Sequence, residues 1–152
     1  MSSIYNSTKK RILQSSIDVD GDTIRVALVD NSVSYTPAID SEEFVSDVLD
    51  GGTTAQELSG TGYSRKTLAN ATVVQDNTND RAEFDADDVT WTGLDTTEDV
   101  QGVLLYKQVG GDDATSSDDP LLGYFDGGDF PISTNGSDFT VSWDAEGIIQ
   151  GA

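Results

Sequence analysis

The sequence predicts a mainly β protein: an antiparallel, jelly-roll-like β-sandwich of about eight strands, with one or two short N-terminal helices. Three observations carry this expectation. Residues 23–29 alternate well enough to form a strand with one buried face. Beyond Gly51-Gly52 every apolar run is short and lies between clusters of Gly, Asn, Asp or Ser, which is the rhythm of an antiparallel sandwich or barrel. Trp91, Tyr106, Tyr124, Phe125, Phe139 and Trp143 all fall within such runs, and aromatic rings of this size would supply most of a single core.

The elements follow in order. Over residues 4–15, Ile4 and Ile12, with Tyr5 and Leu13 beside them, stand at helical spacing, and Asn6 or Ser7 offers an N-cap. A short amphipathic helix therefore opens the chain. Asp18-Val-Asp-Gly-Asp22 is a turn into the 23–29 strand. Tyr35-Thr-Pro-Ala-Ile-Asp40 is an extended loop, and Asp40 or Ser41 caps a second short helix over 42–49 that Gly51-Gly52 closes. The remaining strands are expected at 66–75, 81–85, 89–92, 100–109, 121–126, 130–133 and 139–143. Ser59-Gly-Thr-Gly-Tyr63 reads as a tight turn whose glycines take positive φ, and 112–119 as a solvated hairpin loop. The length suits one domain over 1–152: an N-terminal helix in 1–16, then a sandwich over 17–152 with its short helix near 41–50.

Charge bounds the setting. Twenty-eight Asp and Glu face eight Lys and Arg, a net charge of −20, and Asp outnumbers Glu 22 to 6. A compact chain so charged repels itself at low ionic strength. At about 1 M salt the Debye length falls to about 3 Å, which removes most of that repulsion and leaves the carboxylates as hydration sites. Abundant short carboxylates with few ammonium side chains are associated with proteins of salt-accumulating haloarchaea. Disorder, the other reading of high net charge, does not account for 36% apolar residues arriving in patterned runs. The acidic surface repels phosphate backbones, so no direct nucleic-acid partner is expected. Neither a membrane span nor a signal peptide is legible.

No catalytic residue and no cofactor is expected. The chain has no His and no Cys, which removes the commonest general base, the commonest metal ligand, thiol catalysis and disulfides together. A carboxylate pair of Asp85 with Asp87 or Asp88 would need one member desolvated, whereas Asp85-Ala-Asp-Asp88 looks like an exposed turn. Asp18, Asp20 and Asp22 alternate like the ligands of a hard-cation loop, but the sixth and twelfth positions hold Thr23 and Val29 where an EF-hand needs Gly and Glu. An Asp-Gly turn that binds cations loosely is the competing reading. Ser59-Gly-Thr-Gly-Tyr63 lacks the endings of both nucleotide fingerprints, and Asn6, Asn70 and Asn135 fit the glycosylation sequon, which is short enough to recur by chance.

The order of the segments carries a further signal. Tyr35-Thr-Pro37, Ser59-Gly-Thr-Gly-Tyr63, Lys66-Thr-Leu-Ala-Asn70, Asp85-Ala-Asp-Asp-Val-Thr-Trp91, Gly102-Val-Leu-Leu-Tyr-Lys107, Pro120-Leu-Leu-Gly-Tyr-Phe-Asp126 and Phe139-Thr-Val-Ser-Trp143 follow one another in a way that resembles a family of small structural proteins of tailed bacteriophages and tailed archaeal viruses. The resemblance covers nearly the whole chain and runs to a closing strand over 143–148. It implies a virion component of β-sandwich type and brings no catalytic residues. The departure is acidity, which fits a haloarchaeal virus that assembles in a salty host cytoplasm.

On this reading the chain is a capsid-surface decoration or turret subunit that assembles with copies of itself as a trimer or pentamer and sits on the major capsid or another virion protein. Contact with the host surface would follow from exposure, with 112–119 outermost. The alternative is a tail-associated adaptor or receptor-binding module, against which Trp91 and Trp143 count by lying in strands rather than on loops. The assembly residues are expected on the first helix: Ile4, Tyr5, Lys9, Lys10, Arg11 and Ile12. That helix either docks on an acidic neighbour or covers one end of the sandwich.

Overall fold

The computed structural model describes residues 2–151. Its elements run β1 (Ser2–Ile4), α1 (Asn6–Leu13), β2 (Ile24–Asp30), α2 (Val45–Val48), β3 (Lys66–Thr67), β4 (Thr72–Asp76), β5 (Arg81–Asp85), β6 (Val89–Trp91), β7 (Val100–Lys107), β8 (Leu121–Phe125), β9 (Phe139–Val141) and β10 (Ile149–Gly151). The chain is mainly β, all its strand pairs are antiparallel, and both helices are short. Strands form a five-stranded sheet in the order β1-β8-β7-β2-β3, a three-stranded sheet β10-β5-β4, and a pair β6-β9. Two four-stranded sheets, the pairing of a jelly roll, are not what these strands make, and none of the sheets closes on itself.

The centre of the fold is β2 between β7 and β3, with β8 beyond β7. Val26, Leu28, Val103, Leu105 and Leu122 point from one face of this sheet into a core completed by Phe84, Val89, Trp91, Val141 and Ile148 from the smaller sheets and the segments next to them. Ala27, Val29, Leu104, Tyr106, Leu121 and Tyr124 point from the opposite face into a second core with Tyr5, Tyr35, Val45, Val48 and Ala55. The single buried face expected for 23–29 is thus a sheet buried on both sides. The near-continuous apolar runs of β2 and β7 are what two covers require, because a strand buried on both faces has no polar alternate positions.

Other differences have local causes. The run 66–75 is two strands, broken at Asn70, which takes φ 53°. Residues 130–133 form one bridge, Val100 to Ile132, because Pro131 has no N–H to extend a ladder. Trp143 lies beyond the end of β9, outside any strand. The first helix is preceded by β1, and Tyr5 rather than Asn6 or Ser7 holds the N-cap position, with no side-chain cap. The second helix is a single turn, and Asp47 fixes its start by accepting the N–H groups of Glu43 (2.8 Å) and Phe44 (2.9 Å). The turn at 59–63 does use positive-φ glycines, Gly60 and Gly62, and a Cβ on Gly62 would stand 2.5 Å from the Gly93 carbonyl oxygen.

The stretch 112–119 is not a free outer loop. Asp113 accepts from the Arg25 guanidinium (2.7 Å), the Tyr106 hydroxyl (2.6 Å) and Gln108 (2.8 Å). Asp119 is fully buried and accepts the Val109 N–H at 2.7 Å, while its carbonyl and that of Ser116 take the N–H groups of Val45 and Ser46. The loop is therefore a strap that ties the start of α2 to the end of β7.

Leu104 and Leu105 are adjacent on β7, point into different cores and are both wholly buried. Leu104→Ala and Leu105→Ala should each cost about 2–5 kcal/mol in denaturant unfolding at molar salt. A cost near zero for either one would mean that its face of the sheet is not covered.

Candidate functional site

The residues expected to mediate assembly lie on β1 and α1 and at the residue between them. The first helix docks on a defect in β8. A register shift between Leu105 and Tyr106 leaves Leu122 without a partner on β7, and a bulge of this kind leaves backbone groups free. Thr8, the one fully buried residue of α1, donates its hydroxyl to the carbonyls of Leu121 (2.6 Å) and Leu122 (3.1 Å), and the Tyr5 N–H also reaches Leu122. The inward stripe is thus Tyr5, Thr8 and Arg11, three residues apart on one helical face, and not the expected Ile4 and Ile12.

Tyr5 and Arg11 are engaged within the chain. The Tyr5 hydroxyl meets that of Tyr35 at 2.7 Å in the second core. Arg11 donates to Glu43 at 2.9 Å and stacks over Phe44, 4.8 Å from the ring centroid. Ile4 is half-buried on the edge strand β1. What α1 presents to solvent is Asn6, Lys9, Lys10, Ile12 and Leu13, the last 88% exposed. The sequence placed Leu13 on the helix but not among the assembly residues. Its signal was its position next to Ile12, outside the Tyr5–Thr8–Arg11 stripe.

These lysines stand apart electrostatically. Arg11, Arg25, Arg65, Arg81 and Lys107 each pair with a carboxylate. Among the described residues Lys9, Lys10 and Lys66 do not, and two of those three sit side by side on α1.

The remaining candidates resolve into turns. Asp18, Asp20 and Asp22 lie in a turn where Asp22 accepts the Asp18 N–H at 2.8 Å and pairs with Lys107 at 2.8 Å. A hydrogen bond to the Asp20 side chain, with burial adding to it, pushes the Asp18 carboxyl above its usual range. Among the described residues no three His, Cys, Asp or Glu side chains are gathered as a metal ion would need. Asp87 accepts from the Asn70 side chain, and Asp88 from Ser142 and the Trp143 N–H. Asn6 and Asn135 are exposed, and Asn70 is committed to Asp87. No helix among the described residues is long and apolar enough to cross a membrane.

A second feature was not legible in the sequence: an open groove of about 450 Å³. Phe125, Phe130 and Trp143 line it together with Ser142 and Asp144. Phe125 and Trp143 meet edge to face with centroids 5.9 Å apart, and the indole N–H is held by the Asp87 carbonyl. These residues come from three separate segments, and only the fold brings them together.

The loop that receives α1 contains a buried carboxylate. Glu42, 8% exposed, accepts from the Tyr35 hydroxyl (2.7 Å) and the Ala38 N–H (3.0 Å) through one oxygen, and the Asn6 N–H is bound by Ile39 in the same loop. Burial raises the Glu42 carboxyl above its ordinary value, and the two hydrogen bonds only partly offset this. A raised acid binds its proton more tightly when folded, so its contribution to stability is complete below the unfolded value and is lost as pH rises through the folded one. Glu42→Gln keeps an acceptor without the charge. It should therefore be more stable than the parent at neutral pH, with the difference shrinking as pH falls towards the ordinary glutamate range. A difference that stays constant in denaturant titrations across that range would refute the assignment.

No protein family model, curated protein or solved structure matches the chain.

Proposed function

We propose that the chain is a virion structural protein of a tailed haloarchaeal virus, a decoration or turret subunit on the capsid surface that takes part in host-surface attachment. The observation that carries this reading is the patch on α1. On a chain of net charge −20, two lysines without carboxylate partners among the described residues lie beside Leu13, the most exposed large apolar side chain of those residues. Such a patch fits an acidic neighbour, and the rest of this chain's own surface is the nearest acidic neighbour available. Copies joined head to tail in this way close into a ring where the rotation between neighbours closes, and such a ring would be a trimer or pentamer seated on the major capsid or another virion protein.

In this reading the chain is not an enzyme and takes no cofactor beyond loosely bound cations. It touches neither nucleic acid nor a bilayer, assembles in the host cytoplasm and ends in the particle. The two small sheets serve as the divided second layer of a sandwich against the five-stranded sheet. The groove at Phe125, Phe130 and Trp143 favours a second reading, a tail-associated adaptor or receptor-binding module. Its aromatic faces and hydroxyl and carboxylate groups suit a sugar-bearing receptor, and the objection that Trp143 lies in a strand no longer applies.

Light scattering coupled to size exclusion at about 2 M and about 0.1 M salt tests the leading reading. At the higher salt the repulsion between copies of net charge −20 is almost fully screened, and apolar contact at Leu13 is strengthened by excluded salts. A defined ring should therefore form at high salt and dissociate at low salt. Leu13→Ser should break it at high salt more completely than Lys9→Glu with Lys10→Glu. A monomer of 16.2 kDa at both salts would sink the ring and favour the adaptor.

A further inference from the structure

The three-stranded sheet ends in a strand with a free edge. Strand β4 pairs with β5 on one side, and among the described residues no strand adds to the other. It is the longest of the edge strands and the one that carries exposed large apolar side chains, Val73 at 44% and Val74 at 50%. The two valines are consecutive, so they point to opposite faces of the sheet, and β4 is exposed on both faces while β5 turns Phe84 into the core. Natural proteins guard such an edge with lysine, proline, an inward charge or a bulge. Residues 72–75 are Thr-Val-Val-Gln, and the register to β5 runs unbroken from Thr72 to Asp76.

We propose that β4 is an interface strand, through which two copies of the chain join their three-stranded sheets into one six-stranded antiparallel sheet across a two-fold axis at Val74. The pleat fixes the register. Residues directly opposite in an antiparallel pair point to the same face, and a two-fold axis perpendicular to the sheet keeps each face on its own side, so it must pass through a residue rather than between two. Centred on Val74, it uses the whole strand: Val74 faces Val74, Val73 faces Gln75, and Thr72 faces Asp76.

Charge selects a second copy as the occupant. Two bodies of net charge −20 can approach only where no carboxylate meets another. Asp76 is the single charged residue of β4; Arg81 stands 3.5 Å from it, and Asn79 donates to it at 2.6 Å. In this register it lies opposite the hydroxyl of Thr72, far from its own copy. The strand is thus its own complement, and the contact is independent of α1 and of the capsid reading.

The chain has no cysteine, so introduced thiols report the register directly. Opposite residues in an antiparallel pair have Cα atoms about 4.5–5.5 Å apart, within the disulfide range of about 4.4–6.8 Å. Thr72 and its own copy would be four residues out of register, about 13 Å apart. Under mild oxidation at high salt, Val74→Cys should form a cross-linked dimer at least ten times faster than Thr72→Cys. The same ratio should hold with Leu13→Ser added, which separates this contact from any made by α1. Added to Leu13→Ser, Val74→Lys, which puts like charges on the axis, should halve the scattering mass and leave the far-ultraviolet circular dichroism unchanged. Equal cross-linking of the two cysteine variants, negligible cross-linking of both, or an unchanged mass for a folded Leu13→Ser, Val74→Lys protein would each overturn the proposal.

Discussion

Strands β2, β7 and β8 bury both faces, so 152 residues must exclude water from two sides of one sheet. The division of the chain follows. The segment before β2 and the one between β2 and β3 supply one cover, bringing Tyr5, Tyr35, Val45, Val48 and Ala55 onto the face of Leu104 and Tyr106. The segment between β3 and β7 and the one after β8 supply the other, with Phe84, Val89, Trp91, Val141 and Ile148 against Val103 and Leu105. Neither cover is a complete layer. The first is held by Thr8 on the carbonyls at the β8 bulge, and the second is split between a pair and a three-stranded sheet. The hairpin of β4 and β5 extends past the surface it covers, which is why its valines remain in solvent.

The second constraint is acidity, and the few cations are apportioned by type. All four arginines have side chains 14–19% exposed and pair with carboxylates. Arg65 illustrates the use: it grips Glu57 through two nitrogens at 2.8 Å and lies 5.3 Å from the Tyr106 ring centroid, a planar, forked engagement that an ammonium group cannot copy. Three of the four lysines have no carboxylate partner among the described residues. At high salt long-range attraction is worth little, so contact geometry inside the chain carries the electrostatic stabilisation while the exposed carboxylates hold water.

Strand positions were legible wherever local pattern and tertiary role agree. Residues 81–85 are a strand as read, and 100–109 and 121–126 were each too long by two residues or fewer at an end, because apolar β-branched and aromatic runs between turn residues suit an extended chain whatever it packs against. What escaped the sequence was decided at a distance. Ile12 and Leu13 look like the inward side of a helix by spacing, but the bulge at Leu122 offers carbonyls, so the polar Thr8 turns inward. Strands β1 and β10, three residues each, exist because β8 and β5 have free edges beside them. No window of sequence around Ser2 records that, and the closing strand expected over 143–148 lies instead at Ile149–Gly151, where it meets the edge of β5. The groove likewise needs Phe125, Phe130 and Trp143 to converge from separate segments.

The stretch 112–119 is a largely exposed connection between the antiparallel strands β7 and β8, as its composition suggests, but composition does not show what two of its carboxylates do. A run rich in Asp and Ser looks solvated when every carboxylate is taken as a surface group. Two of its aspartates are structural, and their environments differ in sign. Burial raises the Asp113 carboxyl, but hydrogen bonds from Tyr106, Gln108 and Arg25 outweigh it and hold the group below its usual range. Asp119, in contrast, is raised, first by burial, with the Val109 N–H opposing and Asp118 and Asp113 nearby adding to it. Linkage then works both ways within one strap: Asp113 adds stability that is lost as pH falls through its folded value, and Asp119 adds stability that is lost as pH rises through its own. Their contributions to stability therefore slope in opposite senses with pH. An acidic surface and an acidic strap are thus different uses of the same residue, told apart by what lies within hydrogen-bonding distance.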